Sequence, residues 1–402
     1  MLGVAILCAC ISESNTKIPA NAVRIGVLAP FSGRLASLGG DIEKAALWAA
    51  ESVNATSQVP IAIITRDSAS GVDGGLQGAL ELLYDENVVA LVGPEEIDLA
   101  LALRRDVAGL GRLHVMPGIA SPRIRQLDST GAWMRLAPPE NYVACAFVKQ
   151  LVGSGVDQAN AIAANDDYHL ALVSDFATMF AREQRITPSF TIDPGASSFA
   201  GVLATAASIP TKATLLLTTA TTGADIVREG SALGNFNWYF GPLLADEAFV
   251  RNVPVASVAG LTGLALPEAP DAFVTAFIRR WGGSAPVRQA ARYYDAVALI
   301  GLAVQAEHAA GNDAPTALQL RDYIASISAA PGIPIGWNEL DRGMALARGG
   351  VDSDYHGAAG EYEIDVNGDA TTNPLDVWTV HNGHIATIGT VVCTPEEAYA
   401  GQ

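Results

Sequence analysis

The amino-acid sequence predicts an α/β protein with two domains, each built around a parallel sheet. Strand-like apolar runs alternate with helix-like segments, and this alternation occurs in two series along the chain. With 402 residues, the chain is longer than one hydrophobic core usually supports, so two domains are expected. Half of the residues are hydrophobic and only 16% are charged, which excludes a largely disordered chain.

The first βα unit is the clearest element of this pattern. Val23–Ala29 is a short apolar run rich in β-branched residues, which is typical of a strand buried on both faces. Residues 30–40 read as a loop of small and polar residues, and a helix with apolar residues at helical spacing follows, with Asp41 as its expected N-cap. Because ligands of parallel sheets bind outside the carboxyl ends of the strands, we expect this loop to lie at a ligand-binding edge.

The remaining elements follow in the same order. The first series continues with strands at 59–67, 88–92 and 113–116 and with helices at 74–84 and around 99–107. Residues 133–139 are extended and contain prolines, which predicts a crossing point to a second lobe. The second series has helices at 142–152, 170–182, 199–208 and 224–233 and strands at 159–164, 189–192, 214–218 and 237–240. Helices at 272–281 and 290–309 and β-like runs within 360–388 complete the prediction.

The charge balance and the absence of catalytic motifs exclude several functions. Acidic residues outnumber basic ones 42 to 24, and no basic cluster is longer than a pair, so a nucleic acid is not expected as a partner. The sequence contains no G-x-S-x-G, P-loop, H-E-x-x-H or complete G-x-G-x-x-G motif. We therefore predict neither an enzyme nor a cofactor.

The first residues predict export. The run MLGVAILCAC is apolar but too short to span a bilayer, and it resembles the apolar region of a secretory signal. Within it, Leu7-Cys8-Ala9-Cys10 resembles the bacterial lipoprotein box, which would make Cys10 the lipid-accepting residue. Residues 12–21 would then be a polar tether.

The remaining cysteines and the histidine-containing turn leave alternatives open. Cys145 and Cys393 could pair in an exported protein, but they are distant in sequence and only geometry decides. No CxxC or Cys/His cluster indicates a zinc site. His381 and His384 could hold a metal, although a turn with two exposed histidines is favoured. Residues 365–369 look like the start of a calcium loop, but a turn at Asn-Gly explains them adequately.

Several segments together resemble the type I periplasmic-binding-protein family, in particular its branched-chain amino-acid-binding members, which serve ABC transporters. The matching pieces are IGVLAPFSGRLASLGG, LVGP, residues 117–122, MRLAPPENY, NDDYHLALVSDF, ARYYDAVALIGLA and GEYEIDVNGD followed by VWTVHNG. They cover essentially the whole chain after the tether. No single piece is diagnostic, so the resemblance depends on their order and spacing.

The resemblance implies two Rossmann-like lobes with parallel central sheets, joined by a three-strand hinge and closing on a solute. Mapped onto this chain, a leader and tether occupy 1–21, lobe one 22–138 plus 254–330, and lobe two 139–253 plus 331–402. The implied partners are a small-molecule ligand and the permease of an ABC importer. The implied protein is a periplasmic monomer without a cofactor, attached to a membrane only through its lipid anchor.

A ligand-sensing receptor lobe of the same fold is the alternative function. Such a receptor would normally continue into a membrane span, and the sequence contains no apolar run of roughly 20 residues. A free-standing lipoprotein sensor that passes its ligand to a partner stays open.

On lobe one, the resemblance gives an incomplete set of ligand contacts. Ser32 and Ser37 could offer hydroxyls from the first loop, and Ser121 matches a small or serine residue of a later loop. Arg123 could pair with a ligand carboxylate or be a surface charge.

The loop after LVGP departs from the family pattern, because relatives supply a serine there and this chain has Glu95 and Glu96. Carboxylates in the cleft would favour a cationic or hydroxyl-rich ligand. Alternatively, the pair lies at an exposed helix N-terminus, where acidic side chains are stabilising.

On lobe two, Tyr168 matches the aromatic residue that packs on the ligand in relatives, or it is a surface tyrosine. Thr219 and Thr221 fall where another contact is expected. Relatives bind the ligand ammonium with an acidic residue in the loop that here contains Leu244 and Asp246, and only Asp246 could substitute. The amino-acid recognition set is therefore incomplete, and the ligand is expected to be amino-acid-like or a more apolar small molecule.

Overall fold

The computed structural model describes residues 18–121, 124, 130–183, 185–233, 236–365, 367–371 and 374–399. The strands are β1 (Val23–Ala29), β2 (Ile61–Asp67), β3 (Ala90–Val92), β4 (Leu113–Met116), β5 (Trp133–Arg135), β6 (Ala159–Ala164), β7 (Ser189–Ile192), β8 (Ala213–Leu217), β9 (Trp238–Phe240), β10 (Thr262–Ala265), β11 (Ile333–Gly336), β12 (Ser353–Gly357), β13 (Gly360–Glu361), β14 (Leu375–His381) and β15 (His384–Val391).

The helices are α1 (Ala36–Asn54), α2 (Val72–Leu80), α3 (Ile97–Gly109), α4 (Glu140–Gly153), α5 (Asp167–Arg182), α6 (Ala200–Ala207), α7 (Ala220–Gly230), α8 (Glu247–Arg251), α9 (Val255–Val258), α10 (Asp271–Trp281), α11 (Gln289–Ala309), α12 (Ala317–Ile327), α13 (Leu340–Arg348) and α14 (Pro395–Tyr399). A π-helical turn, Glu81–Asp85, continues α2, and a 3-10 turn, Pro242–Leu244, precedes α8. None of the helices in the described part of the chain combines the length and apolar character needed to cross a membrane.

The first sheet is parallel and has the order β2-β1-β3-β4-β5. Successive residues of β1 point to opposite faces, and both faces are covered by helices. Ile25 and Val27 pack in the core that contains α1 and α11, whereas Leu28 packs in the core that contains α2 and α3. This double burial explains why β1 is a nearly continuous apolar run.

The second sheet has the order β15-β14-β10-β9-β8-β6-β7. Strands β7, β6, β8, β9 and β10 are parallel, and the hairpin of β14 and β15 adds two antiparallel strands at one edge. The hairpin turn contains Asn382 and Gly383, whose φ angles of 53° and 80° are those that a tight hairpin turn requires. His381 and His384 flank this turn and are exposed, as the turn interpretation predicts.

In the described part of the chain, three crossovers connect the two lobes, as predicted; the third follows β13, which belongs to a small sheet of β11, β12 and β13. They are residues 136–139 after β5, residues 266–270 after β10, and residues 362–374 before β14. Strands β5 and β10 end at the carboxyl edges of their sheets, and β14 begins there because it runs antiparallel to β10, with Ala265 opposite Asp376. The crossovers therefore meet both sheets at their carboxyl edges, and the predicted fold class is confirmed.

The predicted lobe boundaries differ from the packing in two places. Residues 331–361, assigned to lobe two, form a small sheet and helix whose Ile335, Met344 and Tyr355 belong to the core of the first sheet. Strand β10, assigned to the return segment of lobe one, lies between β9 and β14 in the second sheet. The strands in these segments have only two to five residues, so their local pattern does not indicate which sheet they join.

Helix α1 begins at Ala36, so the prediction that Asp41 is its N-cap is wrong. Asp41 instead forms an ion pair with Lys44 at 3.2 Å and accepts a hydrogen bond from the Val287 N–H. The glycines that suggested a loop allow a close approach, because a Cβ atom on Gly39 would lie 2.3 Å from the Pro30 carbonyl oxygen.

A disulfide joins Cys145 of α4 to Cys393 ahead of α14, with a Cα–Cα distance of 6.3 Å. The disulfide between Cys145 and Cys393, which the sequence left open, is therefore formed. Among the described residues, these two sulfurs and Glu397 lie close enough together to be considered as metal ligands. Since both sulfurs belong to the disulfide, they offer no free thiolate.

Candidate functional site

Loops from neighbouring strands bring polar residues together at the carboxyl edge of the first sheet. Ser68 follows β2 and donates a hydrogen bond of 2.9 Å to Oε1 of Glu96, which follows β3. The Glu95 carboxylate lies against Gly118, which follows β4, because a Cβ atom on Gly118 would be 2.3 Å from Glu95 Oε2. The sequence thus places both glutamates where parallel sheets bind their ligands.

Glu95 also faces the buried residues Arg292 and Tyr293 of α11, which are 2% and 0% exposed. Burial raises the pKa of Glu95 to about 7, helped by the negative charge of Glu96 and opposed by Tyr293 and Arg292. Glu95 Oε1 is buried, and the Tyr293 hydroxyl beside it hydrogen-bonds to this carboxyl group. This carboxyl group therefore changes its charge near neutral pH.

Glu96 is 5% exposed, so the alternative of an exposed acidic pair at a helix N-terminus is wrong for this residue. Burial raises its pKa, while Ser68, backbone N–H groups and the charge of Arg34 act in the opposite direction. Its Oε2 is buried without a hydrogen-bond partner in the described part of the chain. Glu96 therefore presents a buried acceptor atom at this edge.

Ser32 is held by the loop that follows β2. Its hydroxyl donates to Asp67 Oδ2 at 2.6 Å, and the backbone N–H groups of Phe31 and Ser32 donate to Asp67 Oδ1. These bonds lower the pKa of Asp67 although burial opposes its ionisation. Ser37 is exposed in the first turn of α1. The first loop is thus fixed at the carboxyl edge, with the Ser32 hydroxyl already engaged.

Ser121 is positioned by a buried ion pair. Arg135 Nη2 lies 2.6 Å from Asp369 Oδ1, and the two side chains are 2% and 0% exposed. The other guanidinium nitrogen, Nη1, donates to the carbonyl oxygens of Ala120 and Ser121 at 2.7 and 2.6 Å. One arginine therefore ties the first crossover to the third and to the Ser121 loop. Arg123 lies outside the described residues.

The third crossover reaches Arg135 through a tight turn. Asp365 Oδ1 accepts the backbone N–H groups of Asn367 and Asp369, and the backbones of Arg135 and Asp369 form a bridge. The turn interpretation of residues 365–369 is confirmed. The sequence did not identify Arg135 and Asp369 as partners, because they are 234 residues apart.

The carboxyl edge of the second sheet carries Tyr168, which lies in the first turn of α5 and is half-buried. Its ring meets that of His169 edge-on at 5.0 Å, and Asp166 caps the helix by accepting the His169 N–H. Burial raises the pKa of Tyr168, and the charges of Glu140 and Asp166 act in the same direction. Tyr168 therefore lies in an acidic environment.

Glu140 is a neighbour of this tyrosine that sequence reasoning missed. It stands in the first turn of α4, is 0% exposed, and neither carboxylate oxygen has a side-chain or backbone partner among the described residues. Burial raises its pKa well above the ordinary value, and the charge of Arg135 opposes this effect. The small and apolar residues that surround Glu140 in the sequence were the available signal that its side chain is buried.

The other predicted contacts of this edge have different environments. Thr219 and Thr221 are exposed at the start of α7. Asp246 is exposed and caps α8 by accepting the Ala248 N–H at 2.6 Å. Leu244 is corrected from a ligand contact to a core residue, because its 3-10 turn directs the fully buried side chain onto Gly223.

Two cavities of about 290 Å³ lie away from both edges. Trp48, Tyr294 and Trp337 line one, and Val59 and Val304 line the other. The predicted site residues line neither cavity, so these cavities do not mark the candidate site.

Comparisons with known proteins agree with this geometry. The family model described as periplasmic binding protein matches residues 22–345. A leucine binding protein, LivK, from Thermotoga maritima is 18% identical with a TM-score of 0.75, covering 94% of this chain and 100% of its own. LivJ from Streptococcus pneumoniae, solved in complex with isoleucine, is 17% identical with a TM-score of 0.71, covering 93% and 100%.

A solute binding protein from R. palustris, solved in complex with 4-hydroxybenzoate, is 14% identical. Its TM-score is 0.74, and the match covers 95% of this chain and 100% of that one. No curated protein matches the chain. At these identities the structural matches show a shared fold, and the ligands named are those of the matched proteins.

Proposed function

Because the chain belongs to the periplasmic binding protein family, we propose that it is an extracytoplasmic solute-binding protein that delivers a small organic solute to an ABC importer. One observation carries this proposal. The three crossovers join the two lobes at the carboxyl edges of their sheets, where the polar loops with Glu95, Ser121 and Tyr168 also lie. A solute held between these edges would contact both lobes.

The proposed mechanism is recognition by closure, without catalysis. The two lobes rotate about the crossovers, and the closed state is favoured because only it contacts the solute from both sides. Ser32, Ser37, Arg123 and Ser121 would act from lobe one, and Tyr168, Thr219, Thr221 and Asp246 from lobe two. Similar proteins solved with isoleucine and with 4-hydroxybenzoate support a small organic solute of this size.

The proposal includes the predicted location and partners. Lipidation of Cys10, which lies outside the described residues, would hold the protein at the membrane surface near the permease. A Cys10→Ser variant should leave the membrane fraction and become free in the periplasm, with its ligand affinity unchanged. We expect the protein to act as a monomer.

Mass spectrometry of protein purified under native conditions tests the function directly. A retained small solute is the expected result, and X-ray scattering should show a smaller radius of gyration when that solute is present. Scattering that is the same with and without every bound solute would contradict closure. Chemical conversion of the solute would contradict a purely binding role.

A further inference from the structure

The edge of the first sheet contains buried carboxylate oxygens without a hydrogen-bond partner in the described part of the chain. Glu96 Oε2 and Glu95 Oε1 are both buried without a hydrogen-bond partner among the described residues. Glu96 is 5% exposed. Two buried donors, the Tyr293 hydroxyl and Arg292 Nε, lie beside Glu95, and Tyr293 hydrogen-bonds to its carboxyl group. Buried polar atoms are normally paired, so Glu96 Oε2 above all indicates a missing partner.

The chemistry of the missing partner follows from the acceptors. A carboxylate offers lone pairs and, when ionised, no hydrogen, so it must be met by N–H or O–H groups. The pair lies between Ser68 on one side and Gly118 on the other, at the ends of three neighbouring strands. Here a glycine is needed, because any side chain on Gly118 would displace the Glu95 carboxylate.

We propose that the solute presents a cationic amine to Glu95 and Glu96 at this edge. The inference depends on the proposed function, since it names the chemical class of the solute that the lobes enclose. An ammonium supplies three donors and a positive charge, and its hydrogen bonds to carboxylates are charge-assisted. A carboxylate group in the same position would supply no donor and would be repelled.

The buried arginine does not remove this preference. Arg292 lies beside Glu95, and its charge lowers the pKa of that carboxyl only partly against burial and the charge of Glu96. Arg34 acts on Glu96 from the first loop. The titratable and charged groups that act on Glu95 are thus Glu96, Tyr293 and Arg292, and Arg34 acts on Glu96.

The same environment gives the binding a pH dependence. Because the pKa of Glu95 is about 7, its carboxyl holds a proton at lower pH, and an ammonium must displace it. The affinity for an amine should therefore fall by up to about tenfold for each pH unit below 7. Above pH 8 the affinity should become constant until the amine itself loses its proton.

Matched probes separate the two charge classes. Leucine, 3-methylbutylamine and 4-methylpentanoate share the same branched alkyl group. Leucine carries an amine and a carboxylate, 3-methylbutylamine carries only the amine, and 4-methylpentanoate carries only the carboxylate. Putrescine extends the panel to a diamine. Thermal shift and calorimetry at pH 8 would compare wild type, the double variant Glu95→Gln with Glu96→Gln, and a control, Asp98→Asn. Asp98 is an exposed carboxylate in the first turn of α3, which begins directly after the pair.

We expect at least one amine to bind the wild type and the Asp98→Asn variant, and the double variant to lose about 10- to 100-fold in affinity. Binding of 4-methylpentanoate without amine binding, amine binding unchanged in the double variant, or no binding by any probe would overturn the inference. If native purification still retains a solute that compacts the double variant, the proposed function stands and only the solute class is wrong.

Discussion

Asp369→Asn should destabilise the protein strongly, because it leaves the Arg135 guanidinium buried without its counter-ion. The two side chains are 2% and 0% exposed, and their 2.6 Å contact connects the first and third crossovers. Removing one partner of a buried ion pair typically costs about 3–5 kcal/mol, since the remaining charge stays desolvated. The hydrogen bonds from Arg135 to Ala120 and Ser121 can stay in place, and the loss then reports the ion pair itself.

This cost translates into a measurable shift of the melting temperature. An unfolding entropy of roughly 2.1 cal/mol/K per residue gives about 0.8 kcal/mol/K for 402 residues that unfold as one unit. The expected decrease is therefore about 4–6 °C in calorimetry, and it is larger if only one lobe unfolds. Asp157→Asn is the matched control, because both side chains of its ion pair with Lys212 are 60% exposed and solvent screening leaves the pair little effect on stability. Equal shifts in the two variants would refute the reasoning.

Three further predictions concern the two carboxyl edges. In wild type the pKa of Glu95 is raised from 4.5 to about 7, so its contribution to stability is present below pH 4.5 and lost as the pH rises through 7. In urea unfolding, the wild type should therefore lose about 3 kcal/mol of unfolding free energy relative to Glu95→Gln over this pH range. Parallel pH profiles of the two proteins would contradict this prediction. Ser121→Ala and Tyr168→Ala should each weaken binding of the natively retained solute, measured by calorimetry, without unfolding the protein; unchanged affinity would exclude them from the site. Leu244→Ala should cost about 2–5 kcal/mol of unfolding free energy, whereas Leu243→Ala, exposed in the same turn, should cost much less.

The framework was largely predictable from local sequence. Strands such as Val23–Ala29 and Ala159–Ala164 have the predicted bounds, because helices cover both of their faces and select continuous apolar runs. The start of α1 was not predictable in this way, since Gly39 is chosen for its contact with Pro30 and weakens the helical pattern. Short segments such as β10 join a sheet through pairing that depends on distant residues.

The candidate site was less predictable because its decisive contacts are long-range. Glu95 and Glu96 were found as a departure from the family pattern, but their burial depends on α11, nearly 200 positions later in the chain. Leu244 had the residue type of a ligand contact, and only the direction of its turn assigns it to the core. The Arg135–Asp369 pair has no local signal except an arginine within an apolar segment.

Acidic groups at both edges connect closure to the charge of the solute. Glu95 and Glu96 stand at the first edge, and Asp166 and the buried Glu140 stand at the second. Under the proposed closure, these carboxyl groups approach each other while water leaves, and both effects oppose the closed state of the empty protein whenever the groups are ionised. A cation placed between the edges reverses the sign of this electrostatic contribution. The acidic groups would therefore keep the lobes apart without solute and favour their closure around an amine. The net charge of -18 would also draw such a cation toward the protein.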